Sequence, residues 1–76
     1  MDAESIRTLA VVGAIAIGTI FPAISIGWIG SSALKAIGRN PESASKVQTM
    51  AILAIAFAEA IAIYALVISL IVKFVA

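Results

Sequence analysis

The sequence predicts an all-α membrane protein, a hairpin of two antiparallel transmembrane helices that assembles with its own copies into a ring. Three observations lead there. First, 63% of the 76 residues are hydrophobic and 12% charged, with mean hydropathy +1.20. A soluble domain this small has too little interior to hide so much apolar surface from water. Second, residues 8–34 contain no charged side chain and residues 47–72 contain one, Glu59. Each stretch exceeds the ~20 residues needed to cross about 30 Å of hydrocarbon at about 1.5 Å per residue. Third, small residues recur at every second position in both stretches, a pattern that thins two opposite faces of a helix.

Helix 1 is expected over about residues 6–37. Its leader, Met1-Asp2-Ala3-Glu4-Ser5-Ile6-Arg7, carries two acids and one base. That is not the cationic start of a signal peptide, and the apolar run is longer than a signal core, so a retained helix is expected. Pro22 lies inside the span, where it removes one backbone hydrogen bond and predicts a bend. The break between the spans is Gly38-Arg39-Asn40-Pro41-Glu42-Ser43, giving a loop over about residues 38–42. Gly38 is placed to end helix 1 in the left-handed conformation, and Pro41 forbids helix through Asn40. Pro41 suits a first helical turn, and Glu42 falls near the positive end of the second helix dipole. Helix 2 follows over about residues 43–75, and a loop this short makes the helices antiparallel neighbours. The loop region holds Lys35, Arg39 and Lys46 against Arg7 and Lys73 near the termini, which predicts a cytoplasmic loop and external termini.

Several functions are excluded by composition. A net charge of +1 gives no field for nucleic acid, and the absence of cysteine and histidine removes thiol chemistry, the usual metal ligand and the usual general base. No catalytic residue, metal site or cofactor is expected.

Two features remain to carry function. Helix 1 has Ala14, Ala16 and Gly18, then Ala23, Ser25 and Gly27, with Gly30 beyond; helix 2 has Ala54, Ala56, Ala58, Ala60 and Ala62. A two-residue step turns about 200°, so both sides of the helix are thinned. A single thin face would suit a dimer, whereas two suit a helix held between identical neighbours, which closes into a ring. The plain alternative is that alanine is common in membrane helices. The second feature is Glu59, near the midpoint of its span. An ionised carboxylate there costs roughly 2.5 kcal/mol or more, so the protonated state is the inexpensive one. Neither span holds a basic residue to pair with it. Such an acid can be neutral against lipid and charged against a cation supplied elsewhere, as a reversible proton carrier requires; the alternative is polar glue between helices. Tyr64, five residues on, can reach a carboxyl across a helix interface or serve only as a packing aromatic. Trp28, Phe21 and Phe57 read as packing or lipid contacts.

The chain resembles the proteolipid family of the F-type ATP synthase, whose members are the c subunits of its rotor ring. The resemblance rests on Ala36-Ile37-Gly38-Arg39-Asn40-Pro41-Glu42 and on Phe57-Ala58-Glu59-Ala60-Ile61-Ala62-Ile63-Tyr64-Ala65-Leu66. It implies a ring with helix 1 inside and helix 2 outside. It also implies that Glu59 takes a proton from one channel in the neighbouring a-type subunit and releases it into another, opposite an arginine of that subunit. Tyr64 and Ser25 would support the carboxyl, Ala23, Ser25 and Gly27 would pack the helices, and Arg39, Asn40 and Pro41 would contact the central stalk. The implied setting is a membrane, most economically the bacterial plasma membrane, with lipids as further partners. Where the family has a Gly-x-Gly-x-Gly-x-Gly run, this sequence has Phe21, Ala23, Ser25 and Gly27, which loosens the packing near Phe21. Sodium-carrying members resemble one another in a helix 1 glutamine and a hydroxyl after the carboxylate. Ile26 and Ala60 stand there, so the expected ion is H⁺ rather than Na⁺. Two other readings compete: a pore-forming hairpin lined by Thr19, Ser25 and Ser31, and a structural protein whose Glu59 is permanently paired. The related V-type proteolipids fit less well, since they typically have four spans.

Overall fold

A computed structural model of the chain describes residues 1–75. It contains one long helix, α1 (Ala3–Arg39), a single 3₁₀ turn (Pro41–Ser43) and a second long helix, α2 (Ala44–Phe74). The two helices form a hairpin 58 Å long, 19 Å wide and 8 Å thick. Both are long and apolar enough to cross a bilayer.

Local chemistry sets each end. Asp2, in extended backbone, accepts the Ser5 N–H at 2.8 Å through its carboxylate, so α1 starts at Ala3 rather than near residue 6. That hydrogen bond, from the Ser5 backbone first and its side chain second, holds the Asp2 carboxyl below the usual carboxylate range. At the other end, the expectation for Gly38 is corrected. No described residue has a positive φ, and α1 runs through Gly38 to Arg39. It stops because the residue before a proline is forced out of the helical region: Asn40 has φ −142° and ψ 85°. The Asn40 N–H still donates to the Ala36 carbonyl at 3.0 Å, closing the last turn. The Asn40 carbonyl then accepts from the Ser43 N–H at 3.0 Å and the Ser43 hydroxyl at 2.7 Å, which shapes the turn into α2.

The helices meet along a seam of small and β-branched residues. On α1 it runs Val11, Ile15, Gly18, Pro22, Ile26, Ile29, Ala33 and Ala36, in steps of three and four. On α2 it runs Val47, Ala51, Ala54, Ala58, Ala65, Ser69 and Val72. Only Pro22, Ala58 and Ser69 are buried among the described residues, and none of the three completely. α1 continues without interruption across Pro22, whose ring points into the seam. Of the five glycines, Gly18 alone sits against the facing helix: a methyl group there would overlap the Ala65 side chain and lie 3.7 Å from the Ala65 Cα. Ser69 is accommodated in the seam because its hydroxyl donates to the Ala65 carbonyl at 2.8 Å.

So thin a seam leaves the large side chains outside. The accessible surface is 5717 Å², against ~4400 Å² for a compact soluble protein of this mass. Trp28 is 73% exposed and Phe21 70%. Lipid, or other copies of the chain, must cover these faces.

Two outcomes follow. Gly18→Ala is expected to destabilise the hairpin by ~1–3 kcal/mol, because Ala65 or the backbone must move. Gly13→Ala, where nothing lies within 4 Å, should be neutral or slightly stabilising. Detergent unfolding followed by Trp28 fluorescence separates them, and equal losses would place the seam elsewhere. For the cap, the folded carboxyl titrates lower than the unfolded one. Its contribution is therefore complete above the ordinary carboxylate pKa and disappears as pH falls through the lowered value. The Ser5 amide chemical shift should titrate at that lower pH, and Asp2→Ala should abolish the transition.

Candidate functional site

Glu59 lies on α2 and is exposed, directed away from the seam. Its position on the hairpin follows from helix geometry. Met50 and Val47 of α2 line an open groove with Ser25, Trp28 and Ser32 of α1, so this groove defines one edge of the hairpin. Glu59 is nine residues beyond Met50, a rotation of about 180° after whole turns, which sets it on the side of α2 away from that groove. Tyr64 is fourteen residues beyond Met50, within about 40° of it, and therefore on the groove edge. Both Tyr64 and Ser25 are exposed.

Depth is fixed by the Gly18–Ala65 contact. Counting along antiparallel helices from that pair, Ser25 is level with Ala58, the neighbour of Glu59, and Tyr64 is level with Thr19. Ser25 and Glu59 thus share a depth but occupy opposite edges. Within one hairpin neither Ser25 nor Tyr64 comes together with the carboxylate. The three can meet only where the Glu59 edge of one hairpin faces the groove edge of another.

The other residues singled out in the sequence are placed as follows. Ala23, Ser25 and Gly27 are exposed or lie outside the tightest part of the α1–α2 seam; nothing is within 4 Å of a methyl group at Gly27. Inside the hairpin, close packing is performed by Gly18 instead. Arg39, Asn40 and Pro41 are all exposed at the tip, where Arg39 ends α1 next to its negative dipole end. Ile26 faces the seam and Ala60 presents only a methyl group, so neither offers oxygen near Glu59. The seam hydroxyl Ser69 escapes a reading of the sequence for chemistry. Its one signal is the spacing of four from Ala65 and eleven from Ala58, which continues the α2 seam.

The hydroxyls of α1 do not form a polar path. Thr19 donates to the Ile15 carbonyl at 2.7 Å and is satisfied by its own helix. Thr19, Ser25 and Ser31 follow one another at six-residue steps, each turning about 240°, so they point to three different sides. One carboxylate on an exposed face of α2, with these hydroxyls turned to different sides of α1, makes no continuous polar stripe to line a water channel.

Comparison with known proteins gives a consistent result. The family model for the C subunit of ATP synthase matches residues 9–72. The ATP synthase c subunit of Dehalococcoides mccartyi is 51% identical over 76 residues, all of both chains. Chloroflexus aurantiacus has a protein of the same name, 44% identical over 71 residues, 93% of each chain. A third, from Clostridium acetobutylicum, is 46% identical over 63 residues, 83% of this chain and 78% of that one.

The edge assignment is open to a direct check, since the chain has no cysteine of its own. A Ser25→Cys, Glu59→Cys double variant should give no disulfide within a monomer and only dimers and higher ladders on oxidation of the oligomer. An intramolecular disulfide in detergent-dispersed monomers would show that the two positions share an edge.

Proposed function

Because this chain belongs to the family of ATP synthase C subunits, we propose that it is the proton-carrying rotor component of an F-type ATP synthase, with Glu59 as the carrier. The observation that supports this best is the placement of Glu59. It is an exposed carboxylate near mid-span, on an apolar edge, with no basic residue in either span to neutralise it. In lipid the neutral form is favoured, since the charged form costs roughly 2.5 kcal/mol or more at the bilayer centre. A cation contributed by a neighbouring membrane protein of the complex, an arginine in this reading, lets the proton leave. Rotation then returns the group to a site where it is protonated again.

Copies of the hairpin form a closed ring, helix 1 inside and helix 2 outside, with Glu59 of one copy facing Ser25 and Tyr64 of the next. Ala23 and Gly27 leave α1 thin where adjacent copies pack. The exposed tip at Arg39, Asn40 and Pro41 contacts the central stalk and passes rotation to the catalytic head, so this chain performs no catalysis itself. Each proton crossing 100 mV supplies about 2.3 kcal/mol, so several drive one ATP. With Ile26 and Ala60 beside the site, too few oxygens surround Glu59 for Na⁺, and H⁺ is the transported ion. The membrane is the bacterial plasma membrane, loop on the cytoplasmic side and termini outside. A pore-forming hairpin fits less well, given the divergence of Thr19, Ser25 and Ser31.

Carbodiimide labelling of the purified oligomer across pH, resolved by residue with mass spectrometry, tests this reading. The reagent attacks a protonated carboxyl in an apolar setting, so Glu59 should be modified selectively up to near neutral pH. Na⁺ at constant pH should give no protection; protection would change the ion. Absence of labelling at Glu59 would mean a permanently paired acid, and the purely structural reading would replace this one.

A further inference from the structure

The terminal end of the hairpin holds a feature that proton carriage does not use. Glu4, Arg7 and Thr8 of α1 and Lys73 of α2 line a pocket of about 370 Å³, with Val11 and Val12 as its apolar continuation. Arg7 and Lys73 are the charged residues bounding the apolar stretches 8–34 and 47–72 at this end. The pocket therefore sits where both helices leave the hydrocarbon, at headgroup depth. Its lining carries one acid and two bases, a net charge of +1. The Lys73 ammonium lies 5.1 Å from the centroid of the Phe74 ring, so its long stem runs along the helix surface while its charge stays at the interface. The Thr8 hydroxyl donates to the Glu4 carbonyl at 3.0 Å and is engaged by its own helix, and Lys73 is the base that α2 contributes to the lining.

We propose that this pocket binds the phosphate of an anionic phospholipid, with Lys73 as its principal contact and an acyl chain following Val11 and Val12 into the span. A net charge of +1 matches the single charge of a phosphodiester better than the higher charge of inorganic phosphate. The apolar continuation has no role for a free anion and a direct one for a lipid. Anionic lipid would thereby tie α1 to α2 at the end of the hairpin opposite the turn. The proposal does not depend on the role of Glu59.

The test uses the full-length, isotope-labelled protein in phosphatidylcholine bicelles, titrated separately with phosphatidylglycerol and with inorganic phosphate. Amide shifts of Thr8, Val11 and Val12 should move and saturate with phosphatidylglycerol, and stay fixed with inorganic phosphate. Lys73→Gln should weaken that response about fivefold, the effect of one interfacial base worth ~1 kcal/mol, and Lys73→Arg should restore it. Should Lys73→Gln fail to fold, salt gives the same answer in the unaltered protein: raising NaCl must weaken the response. Equal shifts with inorganic phosphate would overturn the lipid assignment. An unchanged response in folded Lys73→Gln, or one indifferent to salt, would overturn the site.

Discussion

In hydrocarbon no water is available to satisfy a backbone N–H or C=O, so each span must satisfy itself as an unbroken helix. The rest of this structure depends on that constraint. α1 and α2 run without interruption through their apolar stretches, and two of the hydroxyls inside them, those of Thr19 and Ser69, donate back to their own helices. Pro22 is the one residue within the spans that cannot donate, which leaves the Gly18 carbonyl without its usual partner. It is also the one buried residue of α1. The gap thus opens into the seam against α2 and not toward lipid, where an unsatisfied carbonyl costs most.

Once the helices are continuous, the bearing of every side chain is fixed at about 100° per residue. The seam takes small residues, with Gly18 against Ala65 and Ala58 buried further along, so the hairpin is thin and its bulky residues point outward. The same geometry separates Glu59 from Ser25 and Tyr64 onto opposite edges. A hairpin built this way has nearly no interior of its own; its packing has to be completed by what surrounds it.

Much of this is legible in the sequence. The two spans, the turn before Pro41 and the lone mid-span acid follow from where charges are absent and where a proline falls. The helix ends are less legible because they turn on single hydrogen bonds. Asp2 caps α1 well ahead of the first long apolar run, and Gly38 stays helical because Pro41 alone is sufficient to end the helix at Asn40. Which small residues form the seam is ambiguous for a physical reason. A repeat of two thins both sides of α1 alike, so only the register with Ala65 selects Gly18 for the tight contact and leaves Ala23, Ser25 and Gly27 outside it. The nearness of Tyr64 to Glu59 in sequence is likewise no guide, since five residues turn the helix about 140° away and preclude contact within the chain.

That separation bears on how copies associate under the proposed function. A twofold dimer pairs like edges, so it would set one Glu59 against another and leave the hydroxyl edges facing each other. Two like acids would then face each other in a low dielectric, with no base in either span to sit between them. A head-to-tail contact joins unlike edges: the acid of one hairpin meets Ser25 and Tyr64 of the next. Such a contact leaves one edge free at each end of any open chain of copies. In a bilayer the rotation between neighbours lies about an axis normal to the membrane, so the series ends only by closing on itself. A site split between two edges of one small hairpin therefore favours a ring, and within that ring every carboxylate has the same neighbours.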